Sequence, residues 1–138
     1  MQQFSIRDIE HLCGIKAHTL RAWEQRYQLG ISDRPGGQHR VYSNEDLKEW
    51  LRISYLYHNG FKISTIAAMS AAEREERLEK AYATDNPDEG FIHQLIEASL
   101  DFNKDKFEKI IHAVVFRNGI EHCVQRIFYL FLHRIVLL

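Results

Sequence analysis

The sequence predicts a mainly α protein: a winged helix-turn-helix with a small β-hairpin wing, followed by a truncated helical bundle. Three observations carry that expectation. Two short amphipathic stretches meet at a tight turn containing Gly14, the pattern of two helices joined by a few residues. A Pro35-Gly36-Gly37 turn with short segments on both sides follows them. From Phe91 onward, apolar residues recur at helical spacing on wide faces, as bundle helices require.

Taken in order, Ser5 is placed to cap the first helix, with Asp8 three residues on as its reciprocal partner. "IRDIEHLC" then sets Ile6, Ile9, Leu12 and Cys13 on one stripe, and Gly14 stops it. The second helix runs from about Lys16 to Gln28. Each residue turns about 100°, so Leu20, Trp23 and Tyr27 fall near one face. His18, Arg21, Ala22, Gln25 and Gln28/Leu29 fall on the other. Residues 30–42 read as the hairpin, with Val41 and Tyr42 in its return strand. Ser43 and Asp46 form the S-x-x-D box of a third helix, whose core positions are Leu47, Trp50, Leu51 and Ser54/Tyr55. Gly60 ends it, and "KISTIAAM" is a short fourth helix.

"AAEREERLEKAY" carries mixed charge at helical spacing and reads as a solvated connecting helix, with part of a dimer seam as the alternative. "ATDNPDEG" is polar and holds Pro87 and Gly90, the best linker in the chain. The expected organisation is therefore residues 1–72 as the front module, 73–90 as connecting helix and linker, and 91–138 as a partial bundle. In that bundle the apolar positions are Phe91, Ile92, Leu95, Ile96 and Leu100, then Phe107, Ile110, Ile111, Val114 and Val115. The last helix has Ile120, Val124, Ile127, Phe128, Phe131, Leu132, Ile135 and Leu138. "RIVLL" ends in full apolar periodicity without a cap, so the expectation is that at least one further helix is missing.

Bulk properties narrow the function classes. A chain of 138 residues holds one domain or two small ones. Its 45% hydrophobic and 12% aromatic content is that of a packed protein. No apolar run approaches the roughly 20 residues of a membrane helix, and "MQQFSIRDIE" has neither the basic nor the apolar part of a secretory signal. Cys13 and Cys123 are far apart, which fits a reducing, cytoplasmic setting. Residues 1–70 hold nine Lys/Arg against seven Asp/Glu, a net of +2, and residues 71–138 hold nine against twelve, a net of −3. A basic front and an acidic back suggest modules with different partners.

The polar face of the second helix has the chemistry of DNA contact. Arginine bonds guanine edges or phosphates, and glutamine bonds adenine, both from a helix in the major groove. Arg34, His39, Arg40 and Tyr42 on the hairpin are placed to reach neighbouring phosphates or the minor groove. The helix N-termini at Ser5 and Ser43 offer backbone N–H groups to phosphate. The candidate DNA-binding residues are therefore Ser5, His18, Thr19, Arg21, Gln25, Arg34, His39, Arg40 and Tyr42.

"FSIRDIEHLCGIKAHTLRAWEQRY…DRPGGQHRVYSNEDL" closely resembles the DNA-binding domain of MerR-type transcriptional regulators, over about residues 4–70. The shared elements are "IKAHTLRAWEQRY", an arginine before the wing tip (Arg34), and "RVYS" leading into "NEDL". The resemblance implies a bacterial regulator that binds double-stranded promoter DNA as a homo-oligomer, a dimer. Thr19, Arg21, Arg40 and Tyr42 occupy its DNA-contacting positions. The chain departs from the pattern at Ala22, where many relatives carry tyrosine, and at Gly30-Ile31-Ser32. "LIEASLDFNKDKFEKIIHAVVFRNGIEHCVQRIFYLFLHRIVLL" is similar to the start of the helical bundle of cobalamin-dependent MerR-type repressors. Their corrinoid motifs are a Trp with a Glu-His pair and an Asp-x-His-x-x-Gly loop, and none is present. No cofactor is expected in this fragment, with cobalamin expected only in a missing C-terminal domain.

Other chemistries find little support. His11, Cys13, His122 and Cys123 have no metal-site spacing, and His112 and His133 read as core or boundary residues of apolar helices. No phosphate loop, G-x-S-x-G or Cys/His arrangement points to catalysis, so no enzyme is expected. Two rivals stay open. One is an excisionase-like adaptor whose bundle docks a protein; the other is a redox or metal sensor using Cys13 and Cys123.

Overall fold

A computed structural model describes residues 3–29, 41–83 and 87–136. The chain divides into two compact units, Met1–Leu78 and Glu79–Leu138.

In the first unit, α1 (Ile6–Cys13) and α2 (Ala17–Tyr27) are joined at Gly14, whose φ of 68° is left-handed. Glycine adopts that conformation without the penalty a Cβ brings. The Gly14 N–H closes α1 by donating to the Glu10 carbonyl at 2.9 Å. α3 (Asn44–His58) follows, then α4 (Ile63–Ala68) and α5 (Ala71–Tyr82). Both expected capping boxes form. The Asp8 N–H donates to Ser5 Oγ at 3.3 Å and the Ser5 N–H to Asp8 Oδ2 at 2.8 Å. Ser43 and Asp46 repeat the exchange at 3.2 and 2.9 Å. A third box, Ser70 with Glu73, starts α5.

The core of this unit gathers Ile9 and Leu12 from α1, Leu20 and Trp23 from α2, Leu47, Trp50, Leu51, Ile53 and Leu56 from α3, and Ile66 from α4, all buried. Burying each large apolar side chain contributes about 1.5–3 kcal/mol. α3 packs on both α1 and α4. His58 near its end donates from Nε2 to the Cys13 carbonyl at 2.8 Å, satisfying an otherwise orphaned acceptor at the end of α1. Arg74 of α5 donates to the Ile66 carbonyl at 3.1 Å and to Glu49 at 2.6 Å.

The expected hairpin needs correction where it can be seen. Residues 30–40 lie outside the described residues. Tyr42, read as part of a return strand, instead makes a single antiparallel bridge with Phe4, with N–H to carbonyl bonds of 2.8 Å both ways. Among the described residues there is no β-strand, because this one pairing is not extended on either side.

The second unit begins inside α5. Pro87 and Gly90, read as linker, belong to α6 (Pro87–Leu100), and Gly90 is buried. Proline suits a first helical turn, where its missing N–H has no partner to lose. α6 packs against α7 (Lys104–Asn118), which Asn103 caps by accepting the Lys106 N–H at 3.1 Å. Gly119, at φ 90°, separates α7 from a rod over 120–136. This rod comprises α8 (Ile120–His122), a π-helical stretch Cys123–Phe128, and α9 (Tyr129–Val136). Ile92, Leu95, Ile96, Leu100, Ile110, Val114, Ile127 and Phe131 form the core, as their spacing predicts. Ile120, Val124 and Leu132 were expected there too, but are exposed. The π-helical stretch bonds i to i+5 and so shifts the phase of the face. Arg134 donates to both Glu89 oxygens at 3.0 Å and His122 Nε2 lies 2.9 Å from Asp88, tying the rod to the acidic first turn of α6.

Candidate nucleic-acid interface

α2 has no side-chain cap of its own at Lys16. Glu10 of α1 supplies one instead, its Oε2 accepting the Ala17 N–H at 2.6 Å. A carboxylate at the positive end of a helix is favourable, and this one locks the turn between the two helices.

With α2 so placed, its two faces separate. Leu20, Trp23 and Glu24 are buried, while His18, Arg21, Ala22, Gln25 and Arg26 are exposed. Thr19 and Tyr27 are half-buried. The helix has one acidic residue, Glu24, and it is turned inward. The outward face therefore offers imidazole, guanidinium and amide groups, and α2 itself adds no carboxylate to it. Such a surface can donate to phosphate oxygens and to the N7 and O6 acceptors of guanine, and glutamine can pair with adenine. Trp23 packs edge-on against Tyr57 of α3, ring centroids 4.9 Å apart, and the Arg26 guanidinium lies 5.5 Å from the Tyr27 ring centroid.

His18, Arg21 and Gln25 thus come together on one surface, with Thr19 at its margin. Ser5 is at the surface, yet its hydroxyl and N–H are engaged with Asp8. Arg34, His39 and Arg40 lie outside the described residues. Tyr42 needs correction: it is 0% exposed, and its hydroxyl donates towards Glu24 Oε1 and Oε2 at 3.2 and 3.3 Å. It has no surface to offer DNA here, because its ring fills the core beside α2. Leu29, placed with the outward face from spacing, is also buried.

Sequence reasoning missed Glu10 and Glu24. Glu24 stands four residues after Leu20 and three before Tyr27, a core position by spacing, but its charge marks it as a surface residue. Nothing local marks Glu10, whose partner lies seven residues away.

The thiols do not form a reactive site. Burial pushes the Cys13 thiol up from 9.0 to about 12, with a smaller opposing effect of Ser54, and burial raises Cys123 as well. Both thiols are buried. His122 is held by Asp88, while His112 and His133, read as core or boundary residues, are exposed. Among the described residues no three His, Cys, Asp or Glu side chains cluster to hold a metal ion, and no helix is long and apolar enough to cross a membrane.

A tight two-helix unit with a donor-rich outward face on its second helix defines a helix-turn-helix nucleic-acid-binding module. Residues 4–73, half of the chain, match the MerR HTH family of regulatory proteins, and the chain belongs to that family. It is 30% identical over 77 residues to the HTH-type transcriptional regulator MlrA of Salmonella typhimurium (strain SL1344), covering 56% of this chain and 32% of that protein. Identity with MlrA of Escherichia coli (strain K12) is 32% over 73 residues, 53% of this chain and 30% of the relative. With the HTH-type transcriptional repressor CarA of Myxococcus xanthus it is 37% over 70 residues, 49% of this chain and 24% of the relative. The match thus spans about a third or less of these relatives' length.

Proposed function

We propose that this chain is the DNA-binding part of a bacterial, cytoplasmic transcriptional regulator. α2 enters the major groove of promoter DNA, and Arg21 and Gln25 read base edges. The observation that carries this reading is the carboxylate-free outward face of α2, inside a match to a family of regulatory proteins. His18 and Thr19 flank the reading residues. Arg34, His39 and Arg40 supply phosphate contacts from the segment 30–42. The reaction is binding, not catalysis: recognition and counterion release drive it. The test is selection of duplexes from a random-sequence library by the wild-type chain, followed by fluorescence anisotropy on the selected operator and on a scrambled duplex. An enriched half-site repeated as a palindrome supports the reading, and a library that returns no sequence preference contradicts it.

The helical second unit is the part available to assemble copies or receive a signal. Phe116 is 94% exposed and Ile120 70%, an apolar surface that supports a homo-oligomer. The adaptor reading draws on the same residues and is favoured if the chain sediments as a monomer while bound to DNA. No residue of this chain is given a cofactor role. If the full-length regulator takes a corrinoid, the resemblance assigns it to chain outside this sequence.

A further inference from the structure

We propose that Glu24 and Tyr42 form a positioning pair that sets the rotation of α2 about its own axis, and so the aim of Arg21. The inference rests on the DNA-binding reading of α2. On the helix, Glu24 lies at the edge of the buried face, about 60° from Arg21, while Trp23 lies on the opposite flank, about 100° away from Glu24. Each flank has its own anchor. Trp23 meets Tyr57 of α3 edge-on at 4.9 Å. Glu24, 1% exposed, accepts from the Tyr42 hydroxyl on both carboxylate oxygens at 3.2 and 3.3 Å.

Tyr42 is a firm post for that contact. Its side chain is 0% exposed, and its backbone exchanges two 2.8 Å hydrogen bonds with Phe4. Phe4 is itself buried and precedes the capped start of α1. One end of the pair is therefore fixed to backbone, and the other sits on the recognition helix one turn from Arg21. An apolar contact alone tolerates small rotations, because dispersion is not directional. A hydroxyl whose one proton is shared between two carboxylate oxygens holds to a geometry that dispersion does not impose. Removing the hydroxyl lets α2 turn while the surrounding apolar packing stays in place. Base-edge readout depends on bidentate geometry, whereas phosphate contact tolerates movement. The pair should therefore act on specificity and spare non-specific affinity.

The experiment measures the wild-type chain with Tyr42→Phe, Glu24→Gln, the double variant and Ile53→Val, on the selected operator and a scrambled duplex. Ile53 is fully buried in α3 and contributes no polar group, so its truncation reports what lost stability alone does. Thermal unfolding ranks all variants by stability. The pair predicts about a tenfold loss of operator affinity for Tyr42→Phe, unchanged affinity for scrambled DNA, and a double variant no worse than the poorer single. Unchanged operator affinity in a folded Tyr42→Phe protein overturns the pair. So does an equal loss on both duplexes, or a loss that Ile53→Val reproduces at matched stability. A wild-type chain that does not discriminate between the duplexes removes the DNA-binding reading itself, and the positioning role with it.

Discussion

Arg21 and Trp23 are two residues apart and have opposite tasks, and single substitutions should separate them. Arg21 is exposed and Trp23 is buried against Tyr57. Arg21→Ala should leave thermal unfolding unchanged, cost about 1–3 kcal/mol of operator binding and relax preference at one base pair. Trp23→Ala should instead destabilise the first unit by about 3–5 kcal/mol, read by denaturant unfolding. A stable Trp23→Ala protein that loses only DNA binding would place that side chain at the interface. This division was legible because 100° per residue sorts α2 into faces without tertiary information. Tyr42 and Glu24 were not legible. A tyrosine beside basic residues and a glutamate on a helix both look solvent-facing, and only a contact across 18 residues makes them core.

At the scale of elements, the helix starts were the most readable feature, because a capping box is a local exchange within four residues. Ser43→Ala removes one side-chain acceptor and should cost about 1 kcal/mol of stability. Gly14→Ala should cost roughly 1–2 kcal/mol, because the turn holds that residue at φ 68°. The space there is not the obstacle: an added Cβ would stand 3.5 Å from His58 Nε2, an ordinary contact. Both losses are measured by denaturant unfolding, and unchanged stability of Gly14→Ala would mean that the turn relaxes to another conformation. The π-helical stretch Cys123–Phe128 had no signature, since its apolar residues satisfy an α-helical period well enough to be placed on one face. For that reason Val124 was expected in the core and stands 52% exposed.

At the scale of the whole molecule, two units divide within α5, at Leu78 and Glu79. The charge difference between the halves and the polar stretch before Pro87 both point to two modules with a boundary between about residues 70 and 90, and the division itself lies within a continuous helix. One consequence of burial is global. Cys13 holds its proton up to about pH 12 in the folded chain, while an unfolded thiol releases it near 9.0. Stability from this group is complete below pH 9 and falls as pH rises from there towards 12. Thiol reagents at pH 8 should therefore label Cys13 only after denaturant is added, and rapid labelling of the native chain would show that its burial is transient.

The central claim is that α2 presents a sequence-reading surface. Anisotropy of the wild-type chain on its selected operator and on a scrambled duplex, across a salt series, tests it most directly. The account predicts much tighter binding to the operator at every salt concentration. On both duplexes log affinity should fall with log salt, at about 0.9 per phosphate neutralised. Equal binding to the two duplexes, or binding insensitive to salt, would contradict it.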